Sequence, residues 1–315
     1  MKIVIFESLG VSDALMESYL QPLREKGHEV CCYVRDDNTD VQINRLKDAD
    51  VLVLANMPLK KDVLKACQNL KFIDIAFTGY DHVAMDVARE QKIVVSNASG
   101  YATEAVAELV VGGVIALYRN LREADALCRD GKTKNGLNPF EVCGKTVGLV
   151  GTGAIGSRTA EIFRALGCKT IAYNGFSHKA NTDVMTYMPL EDLMRQSDIL
   201  TLHCPLTEQT KNLINKDNLC YMKKTAILVN TARGAVVNSN DLAKVLNEEK
   251  IAGAVIDVFE TEPPLENSHP LLSAKNVLLT PHLGFYTKEA MEKRAKIVFD
   301  NLEQWLLGTP VNVVK

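Results

Sequence analysis

The chain has 315 residues, 47% hydrophobic and 24% charged, which is enough for two domains with cores of their own. Against 39 acidic residues stand 36 basic ones, and a formal charge of −3 lacks the positive footprint that nucleic acid or an anionic membrane surface demands. The most apolar window, residues 109–118, is too short to span a bilayer, and residues 1–6 read as a first strand rather than a secretory signal.

The chain begins with alternating strand and helix patterns. Residues 2–6, 29–34, 50–55, 71–75 and 92–96 are the predicted strands. Their near-continuous Val/Ile/Leu runs, separated by amphipathic segments, predict a parallel sheet covered on both faces. Glu7-Ser8-Leu9-Gly10 follows the first strand where a glycine fingerprint would stand, so this part is expected to form a lobe that holds no dinucleotide. Residues 103–119 read as a long helix with Val106, Val110, Val114 and Leu117 inward and Gly112-Gly113 permitting close packing. A second helical piece covers residues 121–129, and residues 132–139 form a polar loop. The eight cysteines include no C-x-x-C pair and no Cys/His spacing suited to zinc. They read as buried free thiols of a reducing, cytoplasmic compartment, with no metal site.

Residues 144–174, GKTVGLVGTGAIGSRTAEIFRALGCKTIAYN, read as strand, tight turn, helix and strand. Gly151, Gly153 and Gly156 have the G-x-G-x-x-G spacing. Ala154 and Ile155 open a helix whose Ile155, Ile162, Phe163 and Leu166 share one side. Gly151 permits the sharp turn, Gly153 lets backbone approach a pyrophosphate, and Gly156 lets the helix lie tight on the sheet. The helix N-terminus directs free N–H groups at the phosphates. Fingerprint and context together predict dinucleotide binding. At the end of the second strand, where a carboxylate normally takes the ribose hydroxyls, stands Asn174, followed by Ser177, His178 and Lys179. These three residues form either a 2′-phosphate site or a solvated loop, which leaves the choice between NAD and NADP open.

Further strands are predicted at residues 199–202, 226–229, 252–256 and 277–279, and a long closing helix at 288–306. In an open parallel sheet, ligands collect outside the carboxyl ends of the strands. The polar residues just after these strands are His203 in TLHCPLT, Arg233 in NTARG, Asp257 and Glu262 in IDVFETEP, and His282 in LTPHLG. Hydride transfer to a ketone needs a proton donor, a cation for the substrate carboxylate and a group that sets the donor's protonation. His282 suits the first role, Arg233 with its planar fork the second, and Glu262 beside an imidazole the third. Taken alone, a His after a strand is more often a satisfied structural group and an Arg more often a surface ion pair. The case for chemistry is that all three follow strands of the sheet that carries the fingerprint.

The stretches GKTVGLVGTGAIG at 144–156, LHCPLTEQTKNLIN at 202–215, MKKTAILVNTARGAVVN at 222–238, GAVIDVFETEPP at 253–264 and LLTPHLGF at 278–285 occur in one order. With them the chain closely resembles the D-isomer-specific 2-hydroxyacid dehydrogenases over nearly its whole length. The resemblance implies two doubly wound parallel-sheet α/β lobes with the active site in the cleft between them. A Rossmann dinucleotide-binding domain, residues 100–285, would be inserted into a flavodoxin-like substrate or lid domain, residues 1–99 and 286–315. It implies Arg233, Glu262 and His282 as the catalytic set and Asp257 as the holder of the nicotinamide carboxamide. Thr103 and Thr231 would contact the cofactor, and His203 and Pro205 would border the adenosine. Phe77-Thr78-Gly79-Tyr80 would be the loop whose N–H groups bind the substrate carboxylate. Homodimers built through the helix starting near Thr103 are usual for the family. Tyr101, Phe285 and Tyr286 resemble the D-lactate dehydrogenase branch, with Asn56-Met57-Pro58 adding an apolar side chain. A 2-keto acid with a small or medium, uncharged side chain is therefore expected. Formate dehydrogenases place an amide where Glu262 stands, which argues against that activity. The alternative is an NAD(H)-responsive regulator like the family's corepressors.

Overall fold

In the computed structural model, which describes residues 1–173, 175, 179–261 and 265–314, the chain divides into two compact units. One is built from Met1–Ala102 and Tyr286–Lys315, the other from Thr103–Phe285.

The first unit opens with β1 (Lys2–Ile5), α1 (Asp13–Glu25), β2 (Glu29–Cys32), α2 (Thr39–Leu46) and β3 (Val51–Leu54). It continues with α3 (Lys61–Ala66), β4 (Phe72–Ile75), α4 (Met85–Glu90) and β5 (Val94–Asn97). The strands are all parallel in the order β2-β1-β3-β4-β5, the flavodoxin-like arrangement. Parallel neighbours need long crossovers, so helices cover both faces and every residue of β3 and β4 is buried. Asp74 is the charged exception within β4. Its carboxyl accepts one bond from Asn301 Nδ2 at 3.0 Å, and burial pushes its pKa well above the usual carboxylate range.

The second unit contains α5 (Thr103–Tyr118), α6 (Leu121–Arg129), β6 (Thr146–Val150), α7 (Ala154–Ala165), β7 (Lys169–Tyr173), β8 (Thr186–Met188) and α8 (Leu190–Gln196). Then follow β9 (Ile199–Leu202), α9 (Lys216–Leu219), β10 (Ile227–Asn230), α10 (Ser239–Asn247), β11 (Gly253–Ile256) and β12 (Val277–Leu279). The chain then returns to the first unit as α11 (Lys288–Leu306). The sheet is again all parallel, in the order β12-β11-β10-β9-β6-β7-β8. Read from β8, this is the 3-2-1-4-5-6 Rossmann order with a seventh strand added. The chain leaves β6 towards one edge and returns at β9 to build the other, so the topological switch point lies between these two strands.

Several local expectations are corrected. The buried face of α7 is Gly156, Thr159, Ala160 and Phe163, while Leu166 is exposed, because small residues bring the helix closer to the sheet than branched ones allow. On α5 only Gly113 is forced to be small, since a Cβ there would lie 2.7 Å from Val255 Cγ1, whereas one on Gly112 would meet open space. Met57 points into the core of its unit and is fully buried. All eight cysteines are free, but only Cys67, Cys168 and Cys204 are buried. Cys32, Cys128, Cys143 and Cys220 are exposed on an edge strand, on α6 and in turns. No helix among the described residues is long and apolar enough to cross a membrane.

Candidate functional site

The glycine turn leaves β6 at the switch point. Gly151 has φ +105°, and a Cβ there would lie 2.6 Å from the His203 carbonyl oxygen, so only glycine fits between the ends of β6 and β9. A Cβ on Gly156 would overlap the Gly151 carbonyl, which places the start of α7 hard against the turn. Gly153 differs. A Cβ there would meet nothing within 4 Å, and no side chain caps the helix it begins. The first-turn N–H groups of Ala154 and Ile155 have no intrahelical acceptor. Open space beside an uncapped helix N-terminus is the cradle a pyrophosphate needs, so the residues present fit a dinucleotide.

His203 follows β9, and its N–H donates to the Val150 carbonyl at 2.8 Å. Its ring Nε2 lies 3.0 Å from Thr201 Oγ1, and burial among protein atoms pushes its pKa down to about 4, so the imidazole is neutral at pH 7. The Pro205 carbonyl accepts from Thr210 Oγ1 at 2.6 Å, closing the loop after His203. On the other side of the turn, Lys179 Nζ donates to the Thr152 carbonyl at 2.7 Å and to Thr152 Oγ1 at 3.0 Å. That hydroxyl also lies 3.1 Å from Tyr187 Oη.

The carboxyl ends of three neighbouring strands carry the next group. Asn230, buried at the end of β10, donates from Nδ2 to the Arg233 carbonyl at 2.9 Å and accepts from the Ala232 N–H at 3.1 Å. One amide thus pins both ends of the turn that presents Arg233. The Arg233 side chain is half-buried, with Nη1 donating to the Ala232 carbonyl at 2.8 Å. Gly234 packs so closely on Phe259 and Glu260 that a Cβ would overlap their backbone. Thr231 is buried, and its Oγ1 has no hydrogen-bond partner among the described residues.

Asp257 leaves β11 fully buried, and its carboxylate accepts three bonds. Thr280 Oγ1 (2.6 Å) and the Leu283 N–H (2.7 Å) reach Oδ1, and the Gly284 N–H (2.8 Å) reaches Oδ2. The His282 N–H donates to the Asp257 carbonyl at 2.8 Å. His282 itself is left-handed, at φ +57°, a conformation held by this clamp on both sides of it. Its ring meets Phe285 edge-on at 5.1 Å. Arg233, Asp257 and His282 therefore follow β10, β11 and β12, which are consecutive neighbours in one sheet.

In the first unit, Phe77 and Tyr101 are buried with ring centroids 6.2 Å apart. The Thr78 carbonyl accepts from Asn97 Nδ2 at 2.7 Å, Gly79 is half-buried, and Tyr80 and Tyr286 are exposed. Thr103 opens α5 in the second unit. Asn174, Ser177, His178 and Glu262 lie outside the described residues.

Sequence reasoning missed the supporting side chains. Besides Asn230 and Thr280 these are Glu7, whose Oε1 accepts from the Ala55 and Met57 N–H groups at 2.8 and 2.9 Å, and Arg294, buried 5.8 Å from the Tyr101 ring centroid. Burial lowers the Arg294 pKa, and Tyr101 and Glu7 counter it. A polar residue that ends an apolar strand was the available signal for Asn230. Arg294 gives none, because its helix has an ordinary amphipathic pattern.

A parallel Rossmann sheet with a glycine turn at its switch point and an uncapped helix behind it defines a dinucleotide-binding α/β protein. Residues 111–284 match the NAD binding domain of the D-isomer specific 2-hydroxyacid dehydrogenases, and the chain belongs to that family. It is 35% identical over 298 residues to a hydroxypyruvate reductase of Blautia hydrogenotrophica, covering 91% of this chain and 92% of that one. It is 40% identical over 278 residues to a glyoxylate reductase of Thermofilum pendens, covering 84% and 81%. Among solved structures, an acyclic imino acid reductase in complex with NADPH and D-Arg superposes with a TM-score of 0.92 at 30% identity, covering both chains fully. The chain is thus an oxidoreductase of the 2-hydroxyacid dehydrogenase family that uses a nicotinamide dinucleotide, NAD or NADP.

Proposed function

We propose that the protein reduces the C2 carbonyl of a small 2-keto acid to the D-2-hydroxy acid, with His282 as the proton donor. The observation that carries this assignment is the convergence of Arg233, Asp257 and His282 on loops after three adjacent strands of the cofactor-binding sheet. A bound reduced nicotinamide supplies the hydride. Arg233, on a turn pinned by Asn230, holds the substrate carboxylate and polarises the neighbouring carbonyl. His282 gives its proton to the forming alkoxide, with Glu262 as its carboxylate partner. Asp257 would hold the nicotinamide carboxamide, Thr103 would lie near the same side of the cofactor, and Thr231 would contact the cofactor. The backbone N–H groups of residues 77–80 assist carboxylate binding, and Tyr101, Phe285 and Tyr286 shape the site for the substrate's third carbon. Hydroxypyruvate and glyoxylate come first as substrates because relatives sharing 35–40% of their residues with this chain carry those activities in their names. Pyruvate and larger uncharged keto acids follow. The enzyme is a cytoplasmic homodimer in this assignment, which its eight free cysteines and the wholly unburied helix α6 support.

The test is reduction of a panel of glyoxylate, hydroxypyruvate, pyruvate, 2-ketoisocaproate and oxaloacetate by the purified protein, repeated with His282→Ala. Loss of the proton donor lowers kcat by roughly two to four orders of magnitude. Near-normal kcat in His282→Ala refutes the role of the histidine, and oxaloacetate reduced as efficiently as the uncharged acids refutes the substrate class.

A further inference from the structure

We propose that Asn97, at the end of β5, is a positioning residue for the substrate carboxylate, and that residues 311–314 hold it to that task. The inference rests on the assignment of residues 77–80 as the loop whose N–H groups meet the carboxylate, and names what aims them. Every group involved belongs to the unit built from Met1–Ala102 and Tyr286–Lys315. Asn97 Nδ2 donates to the Thr78 carbonyl at 2.7 Å. A peptide bond is planar and trans, so the carbonyl of one residue and the N–H of the next point in opposite directions. Asn97 is buried, so its bond turns the Thr78 carbonyl inward and the Gly79 N–H outward. Gly79 is half-buried, and its N–H meets no acceptor among the described residues. The Ala98 N–H closes the base of the same loop, donating to the Ile75 carbonyl at 2.9 Å and to the Phe77 carbonyl at 3.1 Å.

Asn97 is in turn fixed through its own backbone. Its N–H donates to the Asn312 carbonyl at 3.1 Å, and its carbonyl accepts from Asn301 Nδ2 at 3.2 Å. The Asn301 amide nitrogen also donates to Asp74 Oδ1 at 3.0 Å, and its Oδ1 accepts from Asn312 Nδ2 at 2.8 Å. Asp74 and Asn301 are fully buried, and burial favours the uncharged form of the Asp74 carboxyl, so the cluster needs no counter-ion. Asn312 reaches it because residues 311–314 run antiparallel beside β5. Ser96 bridges to Val313, Ser96 Oγ donates to the Val311 carbonyl at 2.7 Å, and the Val314 N–H donates to the Val95 carbonyl at 2.9 Å. Within that run Asn312 is left-handed, at φ +52°. Packing alone would be met by apolar side chains here, since a buried amide costs free energy unless it is bonded. The three asparagines are instead linked bond to bond, and the last bond falls on the carbonyl that aims an unmatched N–H.

The experiment combines steady-state reduction of the preferred 2-keto acid with binding of oxamate, an unreactive 2-keto acid analogue, to the cofactor-loaded protein. Wild type is compared with Asn97→Ala, Asn97→Asp and Asn312→Ala. Asn97→Ala should raise the keto-acid KM and the oxamate Kd roughly tenfold, the equivalent of about 1.4 kcal/mol from one lost hydrogen bond. Its kcat and cofactor KM should stay within about twofold of wild type, because the carboxylate is held alike before and during hydride transfer. Asn97→Asp, at a pH where its carboxylate is ionised, sets acceptor against acceptor and should raise both constants at least as far. Asn312→Ala should raise them by a smaller factor, about threefold, and constants equal to wild type overturn the part assigned to residues 311–314. An Asn97→Ala variant that melts earlier yet keeps wild-type KM and Kd has lost only structure, and overturns the proposal. The wild type supplies a test that needs no variant to fold. In glycine-labelled protein the Gly79 amide resonance should move when oxamate is added, and a resonance unmoved at saturation overturns the proposal. Failure of the reaction reads differently. Oxamate bound at Gly79 with no reduction of any 2-keto acid refutes the proposed reaction and leaves the positioning role standing, whereas reduction with KM unchanged in Asn97→Ala does the reverse.

Discussion

Replacing Asp257 by Asn tests whether this buried carboxylate holds the His282 turn or serves only the cofactor. In the native protein two donors converge on Oδ1, Thr280 Oγ1 at 2.6 Å and the Leu283 N–H at 2.7 Å, and the Gly284 N–H meets Oδ2 at 2.8 Å. The asparagine oxygen can keep the first two bonds, but its NH₂ then faces the Gly284 N–H, donor against donor. The variant loses one charge-assisted bond, weakens two others and strands a buried N–H, a cost of roughly 2–4 kcal/mol. In a unit of this size the loss corresponds to a drop in Tm of about 5–15 °C. Because His282 sits at φ +57° inside the clamp, its ring loses its aim and kcat falls by roughly 100-fold, the cost of an ångström of misplacement. Scanning calorimetry and steady-state reduction of hydroxypyruvate measure the two effects. A variant that melts within about 1 °C of wild type while its cofactor KM rises would show that Asp257 serves the nicotinamide alone, and would refute the clamp.

Three further outcomes follow from particular contacts. His203 is held neutral, with its pKa lowered from 6.5 to about 4, so its contribution to stability is complete above pH 6.5 and is lost as pH falls from there towards 4. His203→Gln should flatten that limb of the Tm–pH curve, by a few kcal/mol at most at about 1.4 kcal/mol per pKa unit, and an unchanged acid limb refutes the assignment. Gly153→Ala places its methyl in open space at an ordinary backbone angle, so its Tm should stay close to wild type while dinucleotide Kd rises tenfold or more. A Kd unchanged by that methyl would mean that no phosphate approaches the turn. Finally, Leu121 is half exposed on α6, a helix with no buried residue, and sedimentation should show a dimer that Leu121→Glu shifts towards monomer. A wild-type monomer at micromolar concentration would refute that assembly.

Local chemistry made much of this protein legible in its amino-acid order. Apolar runs of four or five residues separated by amphipathic segments determine parallel strands with helical crossovers, because no shorter connection joins parallel neighbours. Gly151, Gly153 and Gly156 determine the tight turn from β6 into α7, since their spacing is dictated by covalent geometry within a few residues. The places of Arg233, Asp257 and His282 at the ends of strands were readable for the same reason, each lying just past an apolar run. Tertiary structure alone decided what holds them. Asn230 is one more polar residue until its amide is seen to pin both ends of the Arg233 turn, and Asp257 clamps a loop 23 to 27 residues further along the chain. β8 exists only because β7 offers it an edge, and through it Tyr187 reaches Thr152. Arg294 finds Tyr101 only once α11 has returned to the first unit. Turns and strand runs are encoded by neighbours in the chain, whereas hydrogen-bond partners far apart in sequence are specified only when packing brings them together.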